Sequence, residues 1–273
     1  MTESCNEPTG RLVSHFAGRS HAGHTRGWSE LWESDQSGFW DRGKPSPALI
    51  DFVESRPEVL HPPPEERRLR ALVPGCGKGY DVAMLALHGF DVYGLEVSEK
   101  GAQVARSYVA SELVQPNELN YANRDEWLST PRGAPEIITG DFFKRDWQWQ
   151  VTCTEDGVTG FDLIYDYTFL CAILPGMRKN WARRMGELLA PGGVLICLEF
   201  PLYKDLNAPG PPWGLRGVHW NLLAQGEDGI LDGPVGEAGP TNGRFDRVLY
   251  LKPPRSYENG KGTDMLSVWA LKS

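Results

Sequence analysis

A chain of 273 residues with 40% apolar and 11% aromatic side chains buries a sizeable core, which excludes the disordered class and leaves little room for two full domains. Its net charge of −8 and the absence of a Lys/Arg stripe exclude nucleic-acid backbone and anionic membrane surfaces as natural partners, because basic residues supply most of that affinity. No run approaches the roughly 20 apolar residues of a membrane span, so a small molecule is the expected partner.

Residues 1 to about 26 are polar and glycine-containing, and read as a mobile segment except where they cover a site. A short helix is expected over 29–34, then a turn, then a helix opened by the pair Ser46 and Pro47, a good N-cap and first helical position. The stretch HPPPEE at 61–66 suits neither helix nor central strand and reads as a linker. Residues 1–66 are therefore expected to form an N-terminal lid segment and linker, and 67–273 the core of a single domain.

From there apolar strands alternate with helical periodicity. Strands are expected at 69–74, 91–97, 135–141, 161–166 and 193–200, with a helix capped by Ser98 after the second and another over 177–189, ended by PGG at 191–193. The Gly/Pro-rich stretch 209–243 reads as a long surface loop. Two alternating strands at 244–251 and 264–271 then form an antiparallel hairpin. The pattern predicts an α/β fold: a doubly wound, mostly parallel seven-stranded sheet with helices on both faces. Five dispersed cysteines, Cys5, Cys76, Cys153, Cys171 and Cys197, without a CxxC pair or a signal-like N-terminus, read as reduced thiols of a cytoplasmic protein. No metal site is indicated.

In such a sheet the ligand lies beyond the carboxyl ends of the strands, and the first turn carries the glycines. Here that turn is VPGCGKGYD, 73–81. It is not a P-loop, because Lys78 is followed by Gly79 rather than Ser or Thr and no glycine stands five positions before Gly77. A dinucleotide turn needs G-x-G-x-x-G, which G-x-G-x-G matches only weakly. A nucleophilic Cys76 would need a base beside it; the plainer role is a side chain sized for a crowded turn. S-adenosylmethionine is the best-supported reading. Glu96 ends the second strand, where an acid would take two ribose hydroxyls; Asp141 and Phe142 end the third, for adenine; Asp166 and Tyr167 end the fourth.

The segments LVPGCGKGYD, FDLIYDYTFLCAILPGMRKNWARRM, LLAPGGVLI and GPPW resemble the thiopurine methyltransferase superfamily, and within it the plant halide/thiol and fungal thiol S-methyltransferases, from about Trp28 to Trp213. The resemblance implies a Rossmann-like class I methyltransferase using S-adenosylmethionine. It implies that Trp28, Trp32 and Trp40 form a lid over the cofactor, where aromatic faces suit a sulfonium cation. It further implies that Gly75, Glu96, Asp141, Phe142 and Asp166 contact the cofactor, with Tyr167 between cofactor and substrate.

Asp166 is expected to hold the cofactor's amino group rather than act as a base. A thiol with a pKa of about 8.5 is already a few per cent thiolate and needs no strong base. The stretch 226–243 is longer than expected for the plant members and suits an acceptor larger than a halide. The primary expectation is S-methylation of a small-molecule thiol, a secondary metabolite bearing one or two thiols, by a monomer or weak homodimer. Methylation of halide or thiocyanate, and cofactor binding without turnover, are the alternatives.

Overall fold

The structure is a computed structural model that describes residues 8–60, 67–152, 160–233 and 239–272. The expected linker at 61–66, Cys5 and Cys153 lie outside the described residues. Seven strands form one sheet: β1 (Arg70–Pro74), β2 (Asp91–Glu96), β3 (Pro135–Thr139), β4 (Phe161–Tyr167), β5 (Leu189–Glu199), β6 (Phe245–Leu251) and β7 (Met265–Leu271). Their order is β3-β2-β1-β4-β5-β7-β6. The first five are parallel, and β7 inserts antiparallel between β5 and β6. Strand order reverses between β1 and β4, which opens a crevice at their carboxyl ends.

Among the described residues eight α-helices accompany the sheet: α1 (Pro8–Phe16), α2 (His21–Glu33), α3 (Pro47–Ser55), α4 (Tyr80–Leu87), α5 (Glu99–Val114), the one-turn α6 (Arg124–Trp127) and α7 (Trp149–Thr152), and α8 (Arg178–Leu188). β1 is buried at every position, as a strand covered on both faces must be. One face packs Leu49, Phe52 and Val53 of α3 with Val82, Met84 and Leu85 of α4 and Ala102 and Ala105 of α5. The other packs Trp181, Met185 and Leu188 of α8. The caps form as expected: Ser46 Oγ accepts the Leu49 N–H at 3.3 Å and Ser98 Oγ the Gly101 N–H at 3.2 Å.

Three expectations are corrected. From residue 8 onward the polar N-terminus is helical rather than loose, and helix starts well before 29. Leu12, Phe16 and Leu31 close a small core of their own, and Ser20 Oγ caps α2 by accepting the Gly23 N–H at 3.2 Å. Second, α8 stops at Leu188 and β5 begins at once, running through Pro191-Gly192-Gly193. A register shift between Phe161 and Leu163 absorbs the extra residues, and a Cβ at 193 would meet the Phe161 carbonyl at 2.6 Å.

Third, much of 209–243 is wall rather than surface loop. Leu215, Val218, Leu222, Leu223 and Ala224 are buried against α8 and β7, and a π-helical turn spans Trp220–Gln225. The buried Arg178 guanidinium donates to the Gly229 and Gly214 carbonyls at 2.7 and 3.3 Å. Residues 234–238 lie outside the described residues.

The period of two along β4 separates its polar residues. Tyr165 and Tyr167 face the crevice, which puts Asp166 on the opposite face. Its Oδ2 accepts the Trp181 indole N–H at 2.8 Å and its Oδ1 the Leu170 N–H at 3.2 Å. Asp166 is thus a buried brace between β4 and α8, not a ligand contact. Replacing it with Ala would strand both donors in a dry interior. Asp166→Ala is expected to lower stability by about 2–4 kcal/mol, read as a lower urea midpoint at unchanged slope.

Candidate functional site

The crevice is an open cleft of about 1300 Å³, a volume that includes the solvent at its mouth. Its floor is the turn after β1. Gly75, Gly77 and Gly79 all have positive φ, +61°, +57° and +81°, so a side chain at any of them is strained. A Cβ at 75 would also meet the Phe169 ring at 2.6 Å. Cys76 faces Gly94 closely enough that a Cβ there would lie 2.9 Å from its Sγ. Burial pushes its thiol well above the ordinary range, which fits the role of a packed side chain and not of a nucleophile.

At the end of β2, Glu96 turns into the cleft. Its Oε2 accepts the Gly77 N–H at 3.2 Å and its Oε1 the Ser98 N–H at 3.1 Å. Burial pushes its carboxyl up to about 7, opposed by those N–H groups and by a hydrogen bond with the Trp32 side chain. Trp32 lies over α5 at a place only glycine permits: a Cβ at Gly101 would stand 2.7 Å from the indole. At the end of β3, Asp141 and Phe142 line the same cleft. Asp141 Oδ1 accepts the Phe143 N–H at 2.9 Å, and Phe142 meets Phe143 and Phe169 edge-on.

The roof comes from the N-terminal helices. Trp28 and Trp40 meet edge-to-face with centroids 5.2 Å apart, as do Trp32 and Trp40 at 5.6 Å. All three line the cleft while Trp28 and Trp40 also pack on the small core of α1 and α2. The roof is tied down twice. His24 Nε2 lies 2.7 Å from the Ala172 carbonyl, which makes it a donor, and Lys78 Nζ pairs with Asp41 at 2.6 Å. Neither tie was expected from the sequence, although Asp41 stands inside WDRGK.

The far end of the cleft, under β4, is a cluster of tyrosines. Tyr167 and Tyr257 stack with centroids 4.8 Å apart and planes inclined by 13°. Tyr167 OH accepts from Arg42 Nε at 3.3 Å, Tyr257 OH donates to the Lys44 carbonyl at 3.1 Å, and Tyr165 OH donates to Ser46 Oγ at 2.9 Å. Burial pushes all three phenols up. Of the expected site residues, Trp28, Trp32, Trp40, Gly75, Glu96, Asp141, Phe142 and Tyr167 meet around this one cleft; Asp166 does not. Sequence reasoning missed Arg42, Asp81, Tyr165 and Tyr257. Asp81 and Tyr165 stood in quoted motifs, but Tyr257 sits in a polar turn with no pattern to mark it.

The donor set fits a cofactor without phosphate. The turn's one cation, Lys78, is already neutralised by Asp41. The first turn of α4, where a pyrophosphate would dock on the helix N-terminus, carries the carboxylate of Asp81. An aromatic roof, a buried acid at Glu96 and an apolar ring at Phe142 suit the adenosine and sulfonium of S-adenosylmethionine.

A family model described as thiopurine S-methyltransferase matches residues 24–225. The chain is similar to the probable thiol methyltransferase 2 of Arabidopsis thaliana, 36% identical over 189 residues that cover 68% of this chain and 66% of that protein. It is also similar to thiocyanate methyltransferase 1 of the same plant, 35% identical over 244 residues, 89% of this chain and 83% of that one. Among solved structures, an O-methyltransferase from Bacillus cereus in complex with SAH aligns over 96% of both chains with a TM-score of 0.51 and 17% identity, which is a likeness of fold alone.

Two outcomes follow for binding. Only as a carboxylate could Glu96 accept from two ribose hydroxyls with both oxygens, and burial pushes its carboxyl up to about 7. Adenosine affinity is therefore expected to fall by up to about tenfold for each pH unit below 7, and Glu96→Gln to abolish that slope, as read by titration calorimetry. Trp32→Ala is expected to weaken S-adenosylhomocysteine binding by about tenfold or more, the order seen when a buried aromatic anchor is removed; unchanged affinity would assign Trp32 to packing alone.

Proposed function

The chain belongs to the thiopurine S-methyltransferase family, and from that premise we propose that it is an S-adenosylmethionine-dependent methyltransferase acting on the sulfur of a small-molecule thiol. The observation that carries the reading is the cleft itself. A buried acid at the ribose position and an aromatic roof share it with a glycine turn whose only lysine is already paired.

When bound, S-adenosylmethionine supplies a methyl group already activated on a sulfonium. The protein's own contribution is then positioning and dryness. Trp28, Trp32 and Trp40 roof the cofactor and exclude water. Glu96 would receive the ribose hydroxyls, and Phe142 would pack against the adenine. Tyr167 stands at the boundary with the acceptor, its hydroxyl held by Arg42 and its ring by Tyr257. No side chain there needs to be a strong base, because a thiol of ordinary acidity supplies enough thiolate at neutral pH.

The aromatic acceptor end formed by Tyr165, Tyr167 and Tyr257 suits an organic thiol with apolar surface. We assign such an acceptor, a secondary metabolite with one or two thiols, to a cytoplasmic enzyme working as a monomer or weak homodimer. No helix among the described residues is long and apolar enough to cross a membrane. A second reading, methylation of halide or thiocyanate ions, draws on Arg42. Its guanidinium lies over the Phe200 ring at 5.5 Å and donates to the Tyr167 hydroxyl, and among the described residues no carboxylate forms an ion pair with it, so it can attract an anion.

Labelled S-adenosylmethionine presented with iodide, thiocyanate, aryl thiols and a reduced cyclic dithiol separates the readings. Transfer to the organic thiols in preference to the ions is expected. Transfer to the ions alone would overturn the primary reading, and binding without transfer to any acceptor would leave a non-catalytic cofactor-binding protein.

A further inference from the structure

With Asp166 turned away from the cleft, the amino-acid tail of the cofactor lacks the counter-charge first expected for it, while a different carboxylate in the cleft lacks a cation. Asp81 sits in the first turn of α4, directly after the glycine turn, and lines the cleft. One of its oxygens, Oδ1, accepts the Ser46 N–H at 2.7 Å. No donor among the described residues is recorded for Oδ2. The groups that face it are Cys76 from the glycine turn, Tyr108 from α5, Tyr165 from β4 and Tyr257 from the turn between β6 and β7. None is a cation.

The carboxylate is also held in place. Ser46 caps α3 with its hydroxyl, which at the same time accepts from Tyr165 OH, so the amide that grips Oδ1 belongs to a fixed N-cap. Its second oxygen is left for a ligand. An unneutralised acid deep in a cleft is costly, and burial pushes its carboxyl up to about 6. The cost is relieved when the ligand brings its own positive group to that place.

We propose that Asp81 is the residue that binds the α-ammonium group of the cofactor's methionine tail. This rests on the S-adenosylmethionine reading above and extends it to the half of the cofactor that Glu96 and Phe142 do not touch. Ser46 and the ammonium then share one carboxylate, so the segment that leads from the tryptophan roof into α3 is fastened to the ligand through Asp81. The same arrangement gives two of the acids lining the cleft separate tasks: Glu96 the ribose, Asp81 the amino acid.

Two ligands isolate the contact. S-Adenosylhomocysteine carries the amino-acid tail, and 5′-methylthioadenosine has the same adenosine and thioether without it. Asp81→Asn keeps a carbonyl oxygen for the Ser46 N–H and is expected to fold. It is expected to weaken S-adenosylhomocysteine binding by about 30-fold or more, the order for removing one partner of a buried charge pair, and to change 5′-methylthioadenosine binding by less than about threefold. Asp81→Glu, which keeps the charge, is expected to recover part of the difference.

Calorimetry at pH 6 in buffers of different ionisation enthalpy supplies a second readout. Binding S-adenosylhomocysteine is expected to release more protons than binding 5′-methylthioadenosine, and the excess is expected to vanish in Asp81→Asn. Equal loss of both ligands would make Asp81 a support for the Ser46 segment and overturn the proposal, as would unchanged affinity for both. If the unaltered protein binds neither ligand, the cofactor reading itself falls.

Discussion

The ion pair between Lys78 and Asp41, 2.6 Å long, is the contact on which the site's chemistry depends. Both partners are partly exposed, so its worth to global stability is at most about 1 kcal/mol. Its consequences are chemical. It fastens the tryptophan roof to the glycine turn, and it removes the turn's only cation from the ligand's reach. A turn with three glycines and a lysine, which would otherwise invite a phosphate, becomes a neutral ledge beneath a roof.

That neutralisation bears on two of the carboxylates that line the cleft. Glu96 and Asp81 are held by backbone N–H groups rather than by cations. Burial raises both above the ordinary carboxylate range, to about 7 and about 6. Such acids are poorly matched to an anionic ligand and well matched to one that carries hydroxyls and positive charge. S-adenosylmethionine carries ribose hydroxyls, an ammonium and a sulfonium, and Trp28, Trp32 and Trp40 line the same cleft. The cleft selects its ligand as much by the cation it withholds as by the groups it offers.

The alternation of sheet and helix was legible because buried parallel strands read as short apolar runs between helical repeats, as in RALVP and DVYGLE. Strand-end residues were legible for the same reason: once β1 to β4 are placed, Glu96, Asp141 and Tyr167 must gather at one edge. Three things escaped. The start of helix α2 escaped because its first buried positions, His24 and Gly27, look polar or small in sequence. The stretch after residue 209 looked like loop because its Gly and Pro density hides Leu222, Leu223 and Ala224, which tertiary packing draws inward. Asp166 was misplaced because a strand-end acid shows no face until its neighbours are paired.

Residues within a strand alternate by covalent geometry, so the pattern itself says that Asp166 and Tyr167 point opposite ways; it does not say which of them meets the ligand. That was decided by α8, whose Trp181 supplies a donor for Asp166 on the far side of the sheet. In the same way, the motif GCGKGYD shows a turn that needs glycine, but not that Lys78 is paired with Asp41 or that Asp81 meets a backbone N–H instead of a cation. Local chemistry sets which residues can bend, cap or alternate, and so the architecture and the edge where the site must lie are written in the chain. Which charges meet a partner depends on segments far apart in sequence, Asp41 to Lys78 and Ser46 to Asp81, and only the folded contacts assign them.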